Sequence, residues 1–355
     1  MKEKELKSAI TLRGDMLYCP LSLSIDSYWN CEADCHHCYM RRLNRTWGQE
    51  LRHANPTEVA RKLKNGLANP NPRSYLAHAL RHKKTIRLGN KTDPYQPAEL
   101  KYKVTRGIIE ALIELDWSFV LQTRFLSNAL RDLDLLVKAH DKGLLTVMPI
   151  ISPGAERDWE ILERKRTTPI DERLEIIGDF IENYDFNVGV NGEPFIPGFH
   201  TLDEFRDIIK RLKEMGVQSY NTYNLHFNDH VAKRFCEIGL DIDKIWRMNQ
   251  DSGWKKIQVE LCKIAVEEDI ILGCPDFVNT GKKWKEQANT CCGVTVPNPS
   301  KFNTHFWKRK LQKGLSPNKV LKKTFEGYGD YELAKKIVTG KKCGNYTMKD
   351  AGLRK

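Results

Sequence analysis

Short apolar runs alternate along the chain with segments in which apolar residues recur every three to four positions. The runs predict strands at residues 21–26, 84–89, 118–123, 144–151, 186–190 and 217–222. The periodic segments predict helices that begin near Asn55 and lie through residues 104–113, 132–140, 169–182 and 202–215. Strands that alternate with helices in this way are typical of parallel βα units. The pattern therefore predicts an α/β fold built from about six such units.

The rhythm changes after about residue 230, and this change predicts the domain organisation. Residues 1–16 are interpreted as an N-terminal arm, 17–230 as the α/β domain and 231–355 as a C-terminal extension. Residues 67–80 are interpreted as a loop. Helices predicted around residues 230–238 and 254–268 contain Cys236 and Cys262, which we expect to be buried thiols.

Composition limits the class of protein. An apolar content of 40% in 355 residues is enough for a hydrophobic core, and no apolar run is long enough to span a bilayer. Ten cysteines without a secretory signal predict reduced thiols, metal binding and a cytoplasmic location, with no membrane partner.

The net charge of +12 is concentrated at one end of the chain. Residues 301–355 contain 15 Lys and Arg against 4 Asp and Glu, a surplus of 11. Aromatic residues such as Phe306, Trp307 and Tyr328 are interleaved with these charges. Basic and aromatic side chains together suit DNA or another nucleic acid as partner. A solvated lysine-rich helix with its aromatic residues turned inward is the alternative.

The cysteine loop, Cys31-Glu-Ala-Asp-Cys35-His-His-Cys38, follows the first predicted strand. Three thiolates can bind three irons of a [4Fe–4S] cluster, because soft sulfur ligands suit iron–sulfur chemistry, and this leaves the fourth iron open. The alternative is a zinc site in which His36 or His37 supplies the fourth ligand.

The spacing of Cys31, Cys35 and Cys38, with Tyr39 after the third cysteine, resembles the radical S-adenosylmethionine (SAM) superfamily. The resemblance implies a partial (β/α)6 TIM-type barrel with the cysteine-containing, basic extension appended. It also implies that SAM binds the open iron and that reduction yields a 5′-deoxyadenosyl radical. An electron donor such as flavodoxin or ferredoxin is then required.

Within that superfamily, residues 20–215 resemble the branch of spore photoproduct lyase and DNA repair photolyase-like proteins. The resemblance is carried by Gly89-Asn-Lys-Thr-Asp-Pro-Tyr-Gln-Pro, Arg131-Asp-Leu-Asp-Leu-Leu and Pro194-Phe-Ile-Pro-Gly. It implies that Thr92 and Arg124 contact SAM and that Tyr39 relays hydrogen atoms or packs over the cluster. Asp93 is predicted to contact SAM or to order its loop, and Ser152 is a further candidate for SAM binding.

One position departs from that branch. The lyase has a hydrogen-donating cysteine two residues before the SAM-contacting position, and here Asn90 occupies it. An amide cannot return a hydrogen atom to a carbon radical as a thiol can. Asn90 is therefore expected at the catalytic position, with a chemistry other than thymine-dimer repair.

A second cysteine group comprises Cys274, Cys291, Cys292 and Cys343. Nearby glycines and a proline allow loops to approach a metal, so these residues are predicted to bind an auxiliary [4Fe–4S] cluster. Zinc and free thiols are the alternatives.

The main hypothesis from the sequence is a radical SAM enzyme that modifies a nucleic-acid base, most simply a thymine-derived base in DNA. Such a base must be flipped out of a duplex to react. A radical SAM enzyme acting on a peptide or small molecule is the second hypothesis. A zinc-stabilised nucleic-acid-binding protein without catalysis is the third.

Overall fold

A computed structural model describes residues 4–6, 8–12, 21, 23–43, 51–72 and 75–273. The strands in these residues are β1 (Lys4–Glu5), β2 (Ile10–Leu12), β3 (Leu23–Ile25), β4 (Tyr28–Trp29), β5 (Arg52–His53), β6 (Ile86–Leu88), β7 (Phe119–Thr123), β8 (Leu145–Pro149), β9 (Val190–Asn191), β10 (Ser219–Asn221) and β11 (Ile271–Gly273). The helices are α1 (Met40–Leu43), α2 (Pro56–Ala68), α3 (Tyr75–Arg81), α4 (Ala98–Tyr102), α5 (Val104–Glu114), α6 (Leu126–Ala129), α7 (Leu133–Asp141), α8 (Ala155–Ile161), α9 (Ile170–Glu182), α10 (Leu202–Glu214), α11 (Asp229–Glu237), α12 (Ile242–Asn249) and α13 (Asp251–Glu267).

Parallel strands form the centre of the fold. β3, β6, β7 and β8 are parallel neighbours in that order, and β2 adds an antiparallel edge beside β3. β9, β10 and β11 form a second parallel set. Bridges from Val147 to Val188 and from Ile150 to Asn191 extend the pairing from β8 towards β9. The carboxyl ends of these strands therefore meet along one edge, and the predicted α/β fold with a parallel sheet is confirmed.

Local sequence explains where the helices begin and what they bury. Asn55 caps α2, because its side chain accepts from the Thr57 and Glu58 N–H groups and proline follows it. Thr201 and Glu204 form a capping box at the start of α10. Four apolar residues of α10 recur at helical spacing and are buried, namely Phe205, Ile208, Ile209 and Leu212. The helices thus present one apolar face to the sheet.

Some details differ from the sequence predictions. The interpretation of residues 67–80 as a loop holds for residues 69–72 but was wrong for 75–80, which belong to α3 and place the buried Leu80 beside Gly66 of α2. Cys236 was predicted to be buried, but it lies on the exposed side of α11. The strand predicted at 186–190 begins only at Val190, and a single bridge at Val188 precedes it.

The alternation of strands and helices continues past residue 230. β11 pairs in parallel with β10, and α13 packs against α10. The division into an arm, an α/β domain and an extension remains a prediction. In the described residues, no helix combines the length and the apolar character that crossing a membrane requires.

Candidate functional site

The cysteine loop follows β4 and is held by contacts to two other parts of the chain. The Glu32 N–H donates to Gln96 Oε1 at 2.8 Å. The His36 N–H donates to the Leu162 carbonyl at 2.8 Å. The loop is therefore tied both to the segment that follows β6 and to the end of α8.

The three cysteines of the loop line one cavity with residues from the ends of the parallel strands. The cavity holds about 1070 Å³ of empty space, counting its open mouth. Ligand sites in α/β proteins commonly lie at this edge of a sheet. The strand-end residues in its wall include Gly89, Asn90, Thr92, Asp93, Gln122, Arg124, Ile150, Asn191, Glu193 and Asn224.

Burial determines the chemistry of the three thiols. Burial raises the pKa of Cys31 to about 12, and it also raises the pKa of Cys35 and of Cys38. Without a bound cation the thiols are protonated at neutral pH. A coordinated metal deprotonates a thiol outright. Three sulfur donors of a single loop line the cavity, Cys35 buried and Cys31 and Cys38 partly buried. Their raised pKa values fit a [4Fe–4S] cluster better than a redox-sensing role, which needs an accessible thiolate.

The two histidines of the loop are neutral and do not complete a site for a single metal ion. Burial first and arginine charges second lower the pKa of His36 to about 4 and of His37 to about 3. His37 Nε2 accepts from Arg124 Nη2 at 3.2 Å. Within the described residues, no three Cys, His, Asp or Glu side chains converge as one metal ion requires. Sulfurs that bind different irons of a cluster need not converge on one point.

Thr92 and Asp93 line the cavity, but their polar atoms are bonded to the protein. Thr92 Oγ1 donates to the Tyr28 carbonyl at 2.9 Å. The Asp93 carboxylate accepts from Thr123 Oγ1 and from the Arg124 N–H, each at 2.6 Å. Asp93 therefore orders the loop after β6 against the end of β7, which is one of its two predicted roles.

Two amide oxygens in the same wall have no hydrogen-bond partner among the described residues, namely Asn90 Oδ1 and Gln122 Oε1. Asn90 directly follows Gly89, whose φ of +86° favours glycine, and a Cβ there would lie 2.3 Å from the Gln122 carbonyl oxygen. Leaving a buried polar atom unpaired costs free energy, so both oxygens are suited to accept from a ligand. Gln122 was not identified from the sequence, although its place at the end of an apolar strand could have indicated it.

Arg124 belongs to a buried ion network. Its Nε donates to Glu163 Oε1 at 3.0 Å, and its Nη2 donates to the Glu193 carbonyl at 3.1 Å. Glu163 also contacts the guanidinium of Arg173 and the hydroxyl of Thr167. The two arginines lower the pKa of Glu163 to about 2 despite its burial. Glu163 and Arg173 were not identified from the sequence.

The structure brings Tyr39 to the cavity and leaves Ser152 out of its wall. The centroid of the Tyr39 ring lies 4.6 Å from that of the His226 ring, and the centroids of the His226 and Tyr223 rings are 5.6 Å apart. All three rings line the cavity. Ser152 is buried, and its hydroxyl has no partner in the described part of the chain. His226 and Tyr223 were missed, although they come directly after the sixth predicted strand.

The second cysteine group and the basic segment lie outside the described residues. The auxiliary cluster at Cys274, Cys291, Cys292 and Cys343 therefore remains a prediction, as does the nucleic-acid surface of residues 301–355.

Comparison with known proteins adds relatives at low identity. The uncharacterized proteins Rv2578c and MT2655 of Mycobacterium tuberculosis and Mb2609c of Mycobacterium bovis are each 25% identical to this chain over 226 residues. The match covers 62% of this chain and 63% of each relative, so the chain spans less than two thirds of their length. No protein-family model matches the chain.

Solved structures show the same fold. Streptococcus suis SuiB bound to S-adenosylmethionine superposes with a TM-score of 0.51 at 10% identity, over 76% of this chain and 55% of SuiB. SuiB bound to the precursor peptide SuiA gives a TM-score of 0.50 at 11% identity, over 75% of this chain and 53% of SuiB. This chain thus has an α/β fold that it shares with a SAM-binding protein. The spore photoproduct lyase branch is not shown by these likenesses.

Proposed function

We propose that this chain is a radical SAM enzyme with a partial-barrel fold, in which Cys31, Cys35 and Cys38 bind a [4Fe–4S] cluster. The observation that carries the proposal is one cavity lined both by the three thiols and by the residues of two amide oxygens without a partner in the described part of the chain. The thiols supply the soft donors that such a cluster needs. The amide oxygens supply acceptors for the amino and hydroxyl groups of SAM. The fold that the chain shares with SAM-bound SuiB supports the same conclusion.

The residues around the cavity have separate roles in this proposal. The cluster, once bound and reduced, supplies the electron that cleaves SAM. Asn90 and Gln122 accept hydrogen bonds from SAM or substrate, while Thr92 and Asp93 hold the loop that carries Asn90 in place. Arg124 positions the cysteine loop through His37. Tyr39 shields one side of the cavity, together with His226.

A peptide or small polar molecule is the better supported substrate. The likeness to SuiB, whose structure holds a precursor peptide, favours this hypothesis over a base in DNA. The polar side chains of Asn191 and Asn224 in the cavity wall suit a substrate rich in amide groups. DNA remains the second candidate because of the basic, aromatic sequence of residues 301–355.

The proposal predicts SAM binding that depends on the two amides. After anaerobic reconstitution and reduction, the parent should cleave SAM to 5′-deoxyadenosine. Asn90→Ala and Gln122→Ala should each weaken SAM binding by roughly 2- to 10-fold, because each removes one hydrogen-bond acceptor. Equilibrium binding with labelled SAM measures this. Asn65→Ala, at an exposed position of α2, is the matched control. A parent that binds iron and sulfide but neither binds nor cleaves SAM would refute the proposal.

The DNA candidate predicts a strong dependence on salt. With six to ten phosphate contacts, the affinity of the full chain for single-stranded DNA should fall by about 10³ to 10⁵ between about 50 and 200 mM salt. A titration in which the affinity does not change with salt would exclude phosphate contacts and leave the peptide or small-molecule substrate.

A further inference from the structure

Four arginine side chains surround the carboxylate of Asp34 in the cysteine loop. Arg166 and Arg234 each place a guanidinium nitrogen 3.2 Å from this carboxylate, and Arg41 and Arg164 also contact it. These four residues, called the arginine patch below, come from α1, α11 and the turn after α8. One carboxylate cannot balance four guanidinium groups, so the surface carries excess positive charge.

The excess persists when neighbouring acids are counted. Lys165 and Glu160 pair with each other at 2.6 Å and cancel. Glu237 interacts electrostatically with Arg234 and favours its charged form. Four arginines against Asp34 and Glu237 leave a surplus of two positive charges beside the cysteine loop.

The arginine patch also acts on its own titratable neighbours. The pKa of Arg41 is lowered to about 10, first by burial and then by the charges of the other three arginines. The local potential is therefore positive.

Arg234 ties the arginine patch to the main chain of the cysteine loop. Arg234 donates to the Cys35 carbonyl at 2.8 Å and to the Asp34 carbonyl at 2.9 Å. None of the four arginines lines the cavity that the three cysteines line. Arg166 is 45% exposed and Arg164 is 35% exposed. Solvent thus reaches Arg166 and Arg164, while the buried Arg234 joins the same carboxylate to the main chain of Cys35.

We infer that the arginine patch is a docking surface for an acidic one-electron carrier protein. The inference rests on the proposed function, because the electron is needed only if the cysteine loop holds a cluster. A reduced ferredoxin gives up one electron and becomes oxidised, and the cluster gains that electron. No covalent bond is made or broken, and no proton moves. A charged surface of this kind steers a partner of opposite charge and speeds association.

Its position favours an electron carrier over a nucleic acid. A polymer substrate must reach the cavity, where the reacting group of SAM would lie, and none of the four arginines lines that cavity, although the Asp34 that they surround does. An electron carrier needs only a short path to the sulfur ligands, and the bond from Arg234 to the Cys35 carbonyl marks such a path.

Charge reversal at the patch tests the inference. An acidic [2Fe–2S] ferredoxin is titrated into the reconstituted full chain at low salt by calorimetry, and reduction of the cluster by the ferredoxin is followed in a stopped-flow spectrometer. Arg166→Glu should weaken ferredoxin binding and slow this reduction, each by roughly tenfold or more. Added salt should weaken the binding of the parent more than that of the variant.

Two controls distinguish an effect on ferredoxin docking from an effect on the structure of the protein. Arg61→Glu makes the same charge change at a 59% exposed arginine on α2, and it should leave ferredoxin binding unchanged. In Arg166→Glu the iron content and the rate of reduction by photoreduced 5-deazariboflavin, a small neutral reductant, should match the parent. A purely structural role would alter both.

Three results would overturn the inference: a parent that does not bind the ferredoxin, equal weakening by Arg61→Glu and Arg166→Glu, or a variant that loses affinity only for single-stranded DNA. Failure of the neutral reductant to reduce the parent would instead overturn the proposed function, since ferredoxin binding is measured separately.

Discussion

Replacing Cys31, Cys35 and Cys38 together with alanine is expected to remove about four irons and the matching sulfide from the reconstituted protein. SAM cleavage should be lost completely. The reason is that these thiols are the sulfur donors that line the cavity, and burial keeps each of them protonated unless a metal binds. Iron and sulfide analysis with chromatographic detection of 5′-deoxyadenosine measures both effects.

The alanine variants of Cys236 and Cys262 are the controls, since neither thiol lines the cavity. Each should keep the iron of the parent. The iron content of the parent and of the triple alanine variant then tests the second cysteine group. About eight irons in the parent and about four in the variant indicate an auxiliary cluster, whereas about four in the parent and none in the variant exclude it. Zinc without sulfide in the parent would contradict the cluster and favour a zinc-stabilised binding protein.

The sequence predicted the fold best where local pattern decides structure. β7 lies within one residue of its prediction because five consecutive residues are buried between two parallel neighbours. β11 was missed because it is only three residues long, and its residues change from exposed to buried along the strand. Its place depends on pairing with β10, which no short sequence window contains.

The candidate site likewise contains residues whose position the sequence could predict and residues whose position it could not. The shared position of the three cysteines at one cavity could be predicted, because they are closely spaced in one loop. The residues that hold the loop could not be predicted, since they act across long separations. Arg234 bonds to the carbonyl of Cys35 across 199 positions, and Glu163 pairs with Arg124 across 39. Only the three-dimensional arrangement of strand ends and helices brings these charges together.

The arrangement also changes the interpretation of Arg124. The family resemblance implies that its guanidinium contacts SAM. In the structure the guanidinium donates to Glu163, His37 and the Glu193 carbonyl. A side chain bonded in three directions is rigid, and rigidity suits a residue that positions the cysteine loop.

Glu163→Gln is expected to lower the free energy of unfolding by about 3–5 kcal/mol, because the change leaves two buried guanidinium groups without a counter-charge. Glu163 is 1% exposed and Arg173 is fully buried. Urea unfolding of the full chain, followed by circular dichroism, measures the change. Glu58→Gln is the control: Glu58 pairs with Arg61 at the surface, and the urea midpoint should stay at the parent's value.

The same network predicts the response to acid. The folded pKa of Glu163 is about 2, below its ordinary value of 4.5, so the carboxylate stabilises the fold fully above about pH 4.5. That contribution is lost as the pH falls towards 2. The parent should therefore lose stability in this window, and Glu163→Gln should lack this part of the loss. Equal urea midpoints for parent and variant at neutral pH would show that the charge of Glu163 does not hold Arg124. The position of the cysteine loop would then depend on its main-chain contacts alone.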